Sequence, residues 1–374
     1  MSEAIPWWEP KLGPPVRRAV LDVLDSTFLN DGPTTRALEG RLTVLIGRRH
    51  GVAAPNCTSA LALTLMALGI GPGDEVIVPD MTFIATANAV RLAGAGVRLA
   101  DVEPERLTLD PVAAERAIGP RTRAIIAVDF NGRGADYTRL ETLCAAHGIH
   151  LLSDSAQALG SLKDSRALGS FGIAGCFSFS AHKLFFSGQG GAVVLDDDAL
   201  AGRLRDLRDQ AKRDGSPLSD VGHPSVGFNF KLPSLLAGVA LAQLDEAKAR
   251  LDHTRARDAW YREFLSNDPA LFFLPRRPGE AVLWADVFSD RRDELAAALH
   301  AAGIGFRRFY LPLHRQPPYA AADVDFPNAL AAWRRGLWLP SALSLTEAQA
   351  RRVAACLRAA LDSERRAESW AGAR

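Results

Sequence analysis

The chain has 374 residues, 48% of them hydrophobic and 23% charged, with 44 Lys and Arg against 43 Asp and Glu. That length allows one large domain or two intimate ones, and it buries enough surface to fold without disulfides or a structural metal. A net charge of +1 argues against a basic, sequence-independent nucleic-acid binder, and the apolar content against a long disordered polar chain.

The first residues, MSEAIPWWEP, have no basic patch followed by an apolar run, so no signal peptide is expected. The most apolar stretch, Leu61 to Ile70, falls short of the ~20 residues of a membrane helix. Cys57, Cys144, Cys176 and Cys356 form no CxxC. Reduced thiols in a cytoplasm are therefore expected, with no metal, membrane or nucleic-acid partner.

HGVAAPN (50–56) reads as a strand and TSALALTLMALG (58–69) as a buried helix. EVIVPD (75–80) is strand-like, ATANAVRLAG (85–94) helical, and GVRLADV (96–102) strand-like again. A helical PVAAERAI precedes the strand RAIIAVDF (123–130), the helix TRLETLCAAHG (138–148) and the strand HLLSDS (150–155). GCFSFS (175–180) and GAVVLDD (191–197) complete about seven strands. Strands this apolar, separated by helices, predict a mainly parallel sheet covered on both faces.

The pattern changes near residue 200. The charged helix ALAGRLRDLRDQAKR leads into a polar, Gly/Pro-rich loop over 214–227, and one long helix is expected over about 233–267. A second unit follows, with the strand AVLWADVFS, the helix RRDELAAALHAAG, the segment FRRFYLPLH and a closing helix from TEAQARRV. The boundary is expected near 245, giving 1–245 and 246–374.

Ligands of open parallel sheets bind at the carboxyl ends of the strands. GxGxxG after a strand, GxxxxGK[ST] and HExxH are all missing, which disfavours the usual nicotinamide and ATP enzymes. Thr58 and Ser59 open a helix, where free amides and hydroxyls suit a phosphate, although an ordinary cap would read the same way. Asp154 and Gln157 end another strand, where Asp-x-x-Gln also mimics a capping box. Lys183 follows an apolar strand, beside His182 and the turn Gly188-Gln189-Gly190-Gly191. An acid for a pyridinium, a lysine for an imine and a phosphate-type helix start are the three parts that pyridoxal 5'-phosphate needs. Ser178 is placed to donate to the phosphate, and Phe83 either stacks on the ring or packs in the core.

These blocks, with FLNDGP (28–33), GIGPGDEVIVPDMTFIATANAV, VGFNFKL, YLPLHRQPPY and GLWLPS, resemble the DegT–DnrJ–StrS group of sugar aminotransferases over nearly the whole chain. The resemblance implies a fold-type-I, aspartate aminotransferase-like α/β architecture. Its mainly parallel seven-stranded sheet would be flanked by helices, with an N-terminal arm and a smaller C-terminal α+β domain. It implies Lys183 as the Schiff-base lysine, Asp154 as the pyridinium partner and Gln157 as the donor near the ring hydroxyl. Ser178, Thr58 and Ser59 would contact the phosphate, and Phe83 would stack. Asn229, and less strongly Lys231, would serve the active site of a neighbouring subunit, implying a homodimer with shared sites.

Two departures stand out: Cys57 where relatives often have Gly, and Leu184 where they have Asn. The reaction implied is amino transfer from glutamate to a nucleotide-linked keto-sugar, such as a 4-keto-6-deoxyhexose. A sugar dehydratase, a cyclitol aminotransferase and a non-catalytic cofactor-binding sensor are the alternatives. Arg307, Arg308, Tyr310 and His314 offer cationic and aromatic groups for the substrate.

Overall fold

The computed structural model describes residues 4–212 and 221–371, so the first half of the expected loop over 214–227 lies outside the described residues. Helices α1 (Pro14–Ser26) and α2 (Pro33–Ile46) open the chain, each with proline in its first turn, where a missing N–H leaves nothing unpaired. The strands of the main sheet are β1 (His50–Ala54), β2 (Glu75–Pro79), β3 (Gly96–Ala100), β4 (Thr122–Val128), β5 (His150–Asp154), β6 (Ala174–Ser178) and β7 (Gly191–Leu195). Their spatial order is β1-β7-β6-β5-β4-β2-β3. Only β7 runs against the others, between β1 and β6. The expected mainly parallel seven-stranded sheet is the one the chain forms.

Both faces of the sheet are covered. Val52 and Ala54 pack on one side with α3 (Cys57–Ala67), α4 (Ala85–Leu92) and α7 (Asp198–Arg208). Ala53, between them, points to the other side with Leu38 and Leu42 of α2, as the two-residue period of a strand requires. Ile77, Ile125 and Ala127 meet α5 (Pro111–Ala117) and α6 (Tyr137–His147). Helix α3 has no polar face because it is enclosed: Leu61, Leu63 and Leu65 are all buried, each contributing about 1.5–3 kcal/mol.

The expected single helix over 233–267 is two, α8 (Ser234–Leu244) and α9 (Ala247–Leu265), broken at Asp245 and Glu246. The physical reason is a change of environment. The apolar α8 packs on α1 and α2, whereas the charged α9 packs on α12 (Glu347–Ala371). We place the division between the two units at this break.

The C-terminal unit is built on an antiparallel sheet of β8 (Asp286–Phe288), β9 (Arg307–Arg308) and β10 (Gly336–Trp338), in the order β8-β10-β9. Helix α10 (Arg292–Ala301) packs with α9 and α12 around a separate core. Ile5, from the N-terminal arm, is buried in that core and not in the large one. Helix α11 (Pro327–Arg335) leads into β10. Among the described residues, no helix is long and apolar enough to cross a membrane.

Candidate active site

A pocket of about 330 Å³ opens at the carboxyl ends of β1, β2, β5 and β6, where the C-terminal unit leans over the sheet. The sheet side contributes Thr58, Phe83, Asp154, Gln157, Ser178 and Lys183, and the other side Trp284, Arg307, Tyr310 and Trp338. Position at these strand ends is what the topology of an open α/β sheet favours.

Lys183 sits in the turn after β6, its amide donating to Ser180 O at 3.0 Å. Burial lowers its ammonium to about 8, against the opposing charges of Asp154 and Cys57. Its Nζ lies 5.3 Å from the Trp284 ring centroid, and no hydrogen bond or ion pair holds it among the described residues. Such an amine is free to act as a nucleophile. Leu184 is buried in the main core.

Asp154 ends β5 and no helix follows it, so the capping-box reading does not apply. Its Oδ2 accepts from Thr86 Oγ1 at 2.8 Å, and its Oδ1 from Ala156 N at 3.1 Å and more loosely from the Cys57 thiol at 3.9 Å. Burial raises its carboxyl above the usual range, and the Thr86 bond and Lys183 only partly offset this. A buried carboxyl with no cation bonded to it is matched to a positively charged ring nitrogen, which would return it to the ionised form.

The start of α3 is shaped for an anion. Asn56 caps it, Oδ1 accepting from Ser59 N at 2.8 Å and Ser59 Oγ at 3.0 Å. Ser59 is therefore used within the cap and does not line the pocket, while Thr58 and Ser178 do. Strand β7 passes hard against this turn: a Cβ on Gly191 would lie 2.4 Å from the carbonyl carbon of Asn56. Gln157 Oε1 accepts from Asn131 N at 2.9 Å, which leaves its amide N–H groups for the pocket. Phe83 is 52% exposed and 5.4 Å from the Tyr310 ring, so one face of it is open to stacking. Helix start, buried carboxyl, lone amine and open aromatic face together fit pyridoxal phosphate.

Besides Ser59, four expected residues lie outside the pocket lining: Arg308, which pairs with Asp293 at 2.9 Å, His314, Lys231 and Asn229. His314 is fully buried, its Nδ1 2.6 Å from Asp80 Oδ2 and its Nε2 3.0 Å from Asp323 Oδ1. It fastens the 310–314 segment to the end of β2 and does not face the pocket. Lys231 is ion-paired with Asp209. Asn229 is exposed on the same segment, bridged through its backbone to Asp209 and outside the pocket of its own chain. Residues that the sequence reading missed are Thr86, Trp7, Trp284 and Trp338. Thr86, in the first turn of α4, lies four residues after Thr82, with the two hydroxyls 3.0 Å apart; the tryptophans carry no local signal. Among the described residues, no group of three His, Cys, Asp or Glu could hold a metal.

The model of the DegT/DnrJ/EryC1/StrS aminotransferase family matches residues 11–358. The chain is 35% identical over 361 residues to the GDP-perosamine synthase of Caulobacter vibrioides, a match covering 93% of this chain and 96% of that one. It is 37% identical over 343 residues to the UDP-N-acetyl-3-dehydro-alpha-D-glucosamine 3-aminotransferase of Acidithiobacillus ferrooxidans, covering 91% and 92%. The X-ray structure of S. venezuelae DesV matches with a TM-score of 0.90 and 34% identity, over 96% of this chain and 98% of that one.

Proposed function

The chain belongs to the DegT/DnrJ/EryC1/StrS aminotransferase family, and from that premise we propose that it moves an amino group from glutamate to a nucleotide-linked keto-sugar. It is a pyridoxal-phosphate-dependent aminotransferase; the donor and the form of the acceptor are our reading. The relatives named for GDP- and UDP-linked sugars support a nucleotide-linked acceptor. The observation that carries the reading is the unpaired Lys183 amine facing the same pocket as the buried Asp154.

Bound pyridoxal phosphate supplies the electron sink that stores the amino group between two half-reactions. The protein does the rest. Asp154 would hold a positive charge on the ring nitrogen, Gln157 would donate to the ring oxygen, and Phe83 would pack on the ring face. Thr58, Ser178 and the α3 amides would hold the phosphate. Lys183 Nζ takes the proton from the donor carbon bearing nitrogen and returns one to the acceptor carbon in the second half-reaction. Arg307 and Tyr310 face the substrate.

A homodimer is part of the proposal. Leu21, Leu24, Phe28 and Leu29 are exposed along and just after α1, an apolar run that supports a partner surface. The four free cysteines support a reducing, cytoplasmic setting. The test is a visible spectrum of the purified protein before and after glutamate. A yellow band that bleaches on addition, with 2-oxoglutarate released, is the expected result. A band that persists would remove glutamate from the reading.

A further inference from the structure

Residues 5–8 bridge the two units beside Lys183. Ile5 N donates to Gly303 O at 3.1 Å, and Gly305 N to Ile5 O at 2.7 Å. Trp7 O accepts from Ser341 N at 2.7 Å. Trp8 Nε1 then donates to Ala181 O at 2.8 Å, two residues before Lys183. The approach is close: a Cβ on Gly305 would stand 2.4 Å from Trp7 N. The arm is thus stitched to both sides of the pocket, and the Trp7 ring becomes part of its wall.

The surroundings of that ring point to a purpose. Trp284 and His182 lie 5.6 and 5.7 Å from it, and the Arg307 guanidinium lies 4.4 Å from the ring centroid. Arg307 is exposed and lines the pocket, and no carboxylate pairs with it among the described residues. The neighbouring Arg308, by contrast, pairs with Asp293 at 2.9 Å. Held on an indole face, a guanidinium is oriented without being neutralised, and its N–H fork stays open to an anion. Arg307 and Lys183 both depress His182, after burial has done so first, so the imidazole is biased toward its neutral form beside the guanidinium.

We propose that the N-terminal arm is a component of the substrate site, with Trp7 bracing Arg307 as the receptor for an anionic oxygen group of the substrate. Two substrates carry such a group: the amino donor through its carboxylate, and the nucleotide-linked acceptor through its diphosphate. The inference rests on the aminotransferase reading above, and its failure is separable from failure of the glutamate assignment.

The experiment is calorimetric titration of the cofactor-loaded enzyme with 2-oxoglutarate, GDP and UDP, for wild type, Arg307→Gln, Arg307→Lys, Trp7→Ala and Trp7→Phe. Losing one charge-assisted contact lowers affinity about ten- to a hundredfold. Arg307→Gln is expected to show that loss for the dicarboxylate or for the diphosphates, which identifies the source of the anion. Arg307→Lys should recover part of it. Trp7→Ala should weaken the same ligand, and Trp7→Phe, which keeps an aromatic face, should restore it. Unchanged affinities in Arg307→Gln would overturn the inference. So would a wild-type enzyme that binds none of the three, or a Trp7→Phe variant no better than Trp7→Ala while Arg307→Gln is impaired. If glutamate does not bleach the band but Arg307→Gln loses a nucleoside diphosphate, the donor reading fails and the arm's role stands.

Discussion

Burial biases both Asp154 and Lys183 toward their neutral forms, and their neighbours oppose it: Thr86 and Lys183 favour the ionised Asp154, and Asp154 favours the charged Lys183. The Thr86 hydroxyl is the shortest hydrogen bond to the Asp154 carboxyl, at 2.8 Å, and the Thr82 hydroxyl, just before α4, lies 3.0 Å from it. Replacing Thr86 by Val keeps the shape and removes that donor, at a cost of about 1.5–3 kcal/mol for a bond to a charged group. We expect pyridoxal phosphate to bind Thr86→Val about ten- to a hundredfold more weakly, with Thr86→Ser close to wild type, as read by equilibrium titration of the visible band. Equal affinity in all three proteins would mean that the backbone alone positions Asp154.

For Lys183, burial favours the neutral amine, lowering its titration to about 8 from the usual 10.5. Only the neutral form attacks a carbonyl. The rate at which cofactor-free protein takes up pyridoxal phosphate should therefore rise with pH and level off above about 8. A rate still climbing near pH ~10 would be the behaviour of a solvated lysine. That Lys183 and Asp154 share one pocket was legible because a lone Lys and a lone acid stand at the ends of apolar strands. Thr86 was not, because a threonine inside a helix looks like any other until the fold sets it against β5.

At the scale of elements, the phosphate-type site is a meeting of two elements, α3 and β7. The glycines of GQGG read in the sequence as a turn, and Gly188 does take a positive φ of 84°. Gly191 does something the sequence does not reveal. It lets β7 run directly over Asn56 and Cys57, where a methyl group would be 2.4 Å from one backbone carbon and 2.6 Å from one nitrogen. Backbone atoms cannot swing aside as a side chain can, so Gly191→Ala must displace the cap of α3 or bend β7. Overpacking of this kind costs about 1–3 kcal/mol. A lowered melting temperature together with weaker cofactor binding is expected. A protein melting as wild type does, with unchanged affinity, would show that the turn tolerates displacement. Helix starts and strand ends were readable from periodicity and caps; the contact between two elements distant in sequence was not. The same limit explains the helix break at Asp245, which is set by what α8 and α9 each pack against.

At the scale of the whole molecule, the pocket exists only because the two units are clamped. Asn131, after β4, exchanges two hydrogen bonds of 2.8 Å with the backbone of Trp284. Arg133 pairs with Asp286 at the centre of the same contact, and Asp80 with His314 at its edge. These ties fix Trp284, Tyr310 and Arg307 around the pocket that Lys183 lines. Asn229 is exposed beside Asp209 with no side-chain hydrogen bond among the described residues, on a segment that does not reach its own chain's pocket. If it reaches across a two-fold axis, a Lys183→Ala protomer and an Asn229→Ala protomer fail in different halves of one site. Each mixed dimer then contains one site with both defects and one with neither. Random mixing makes half of the dimers mixed, so co-expression should restore about a quarter of wild-type turnover. Without sharing, every site in the mixture keeps its own protomer's defect, and purified mixed dimers would be no more active than the two parents. Sizing the mixture first, with two different affinity tags, makes the result decisive, since a chain that proves monomeric would exclude the shared site before any rate is measured.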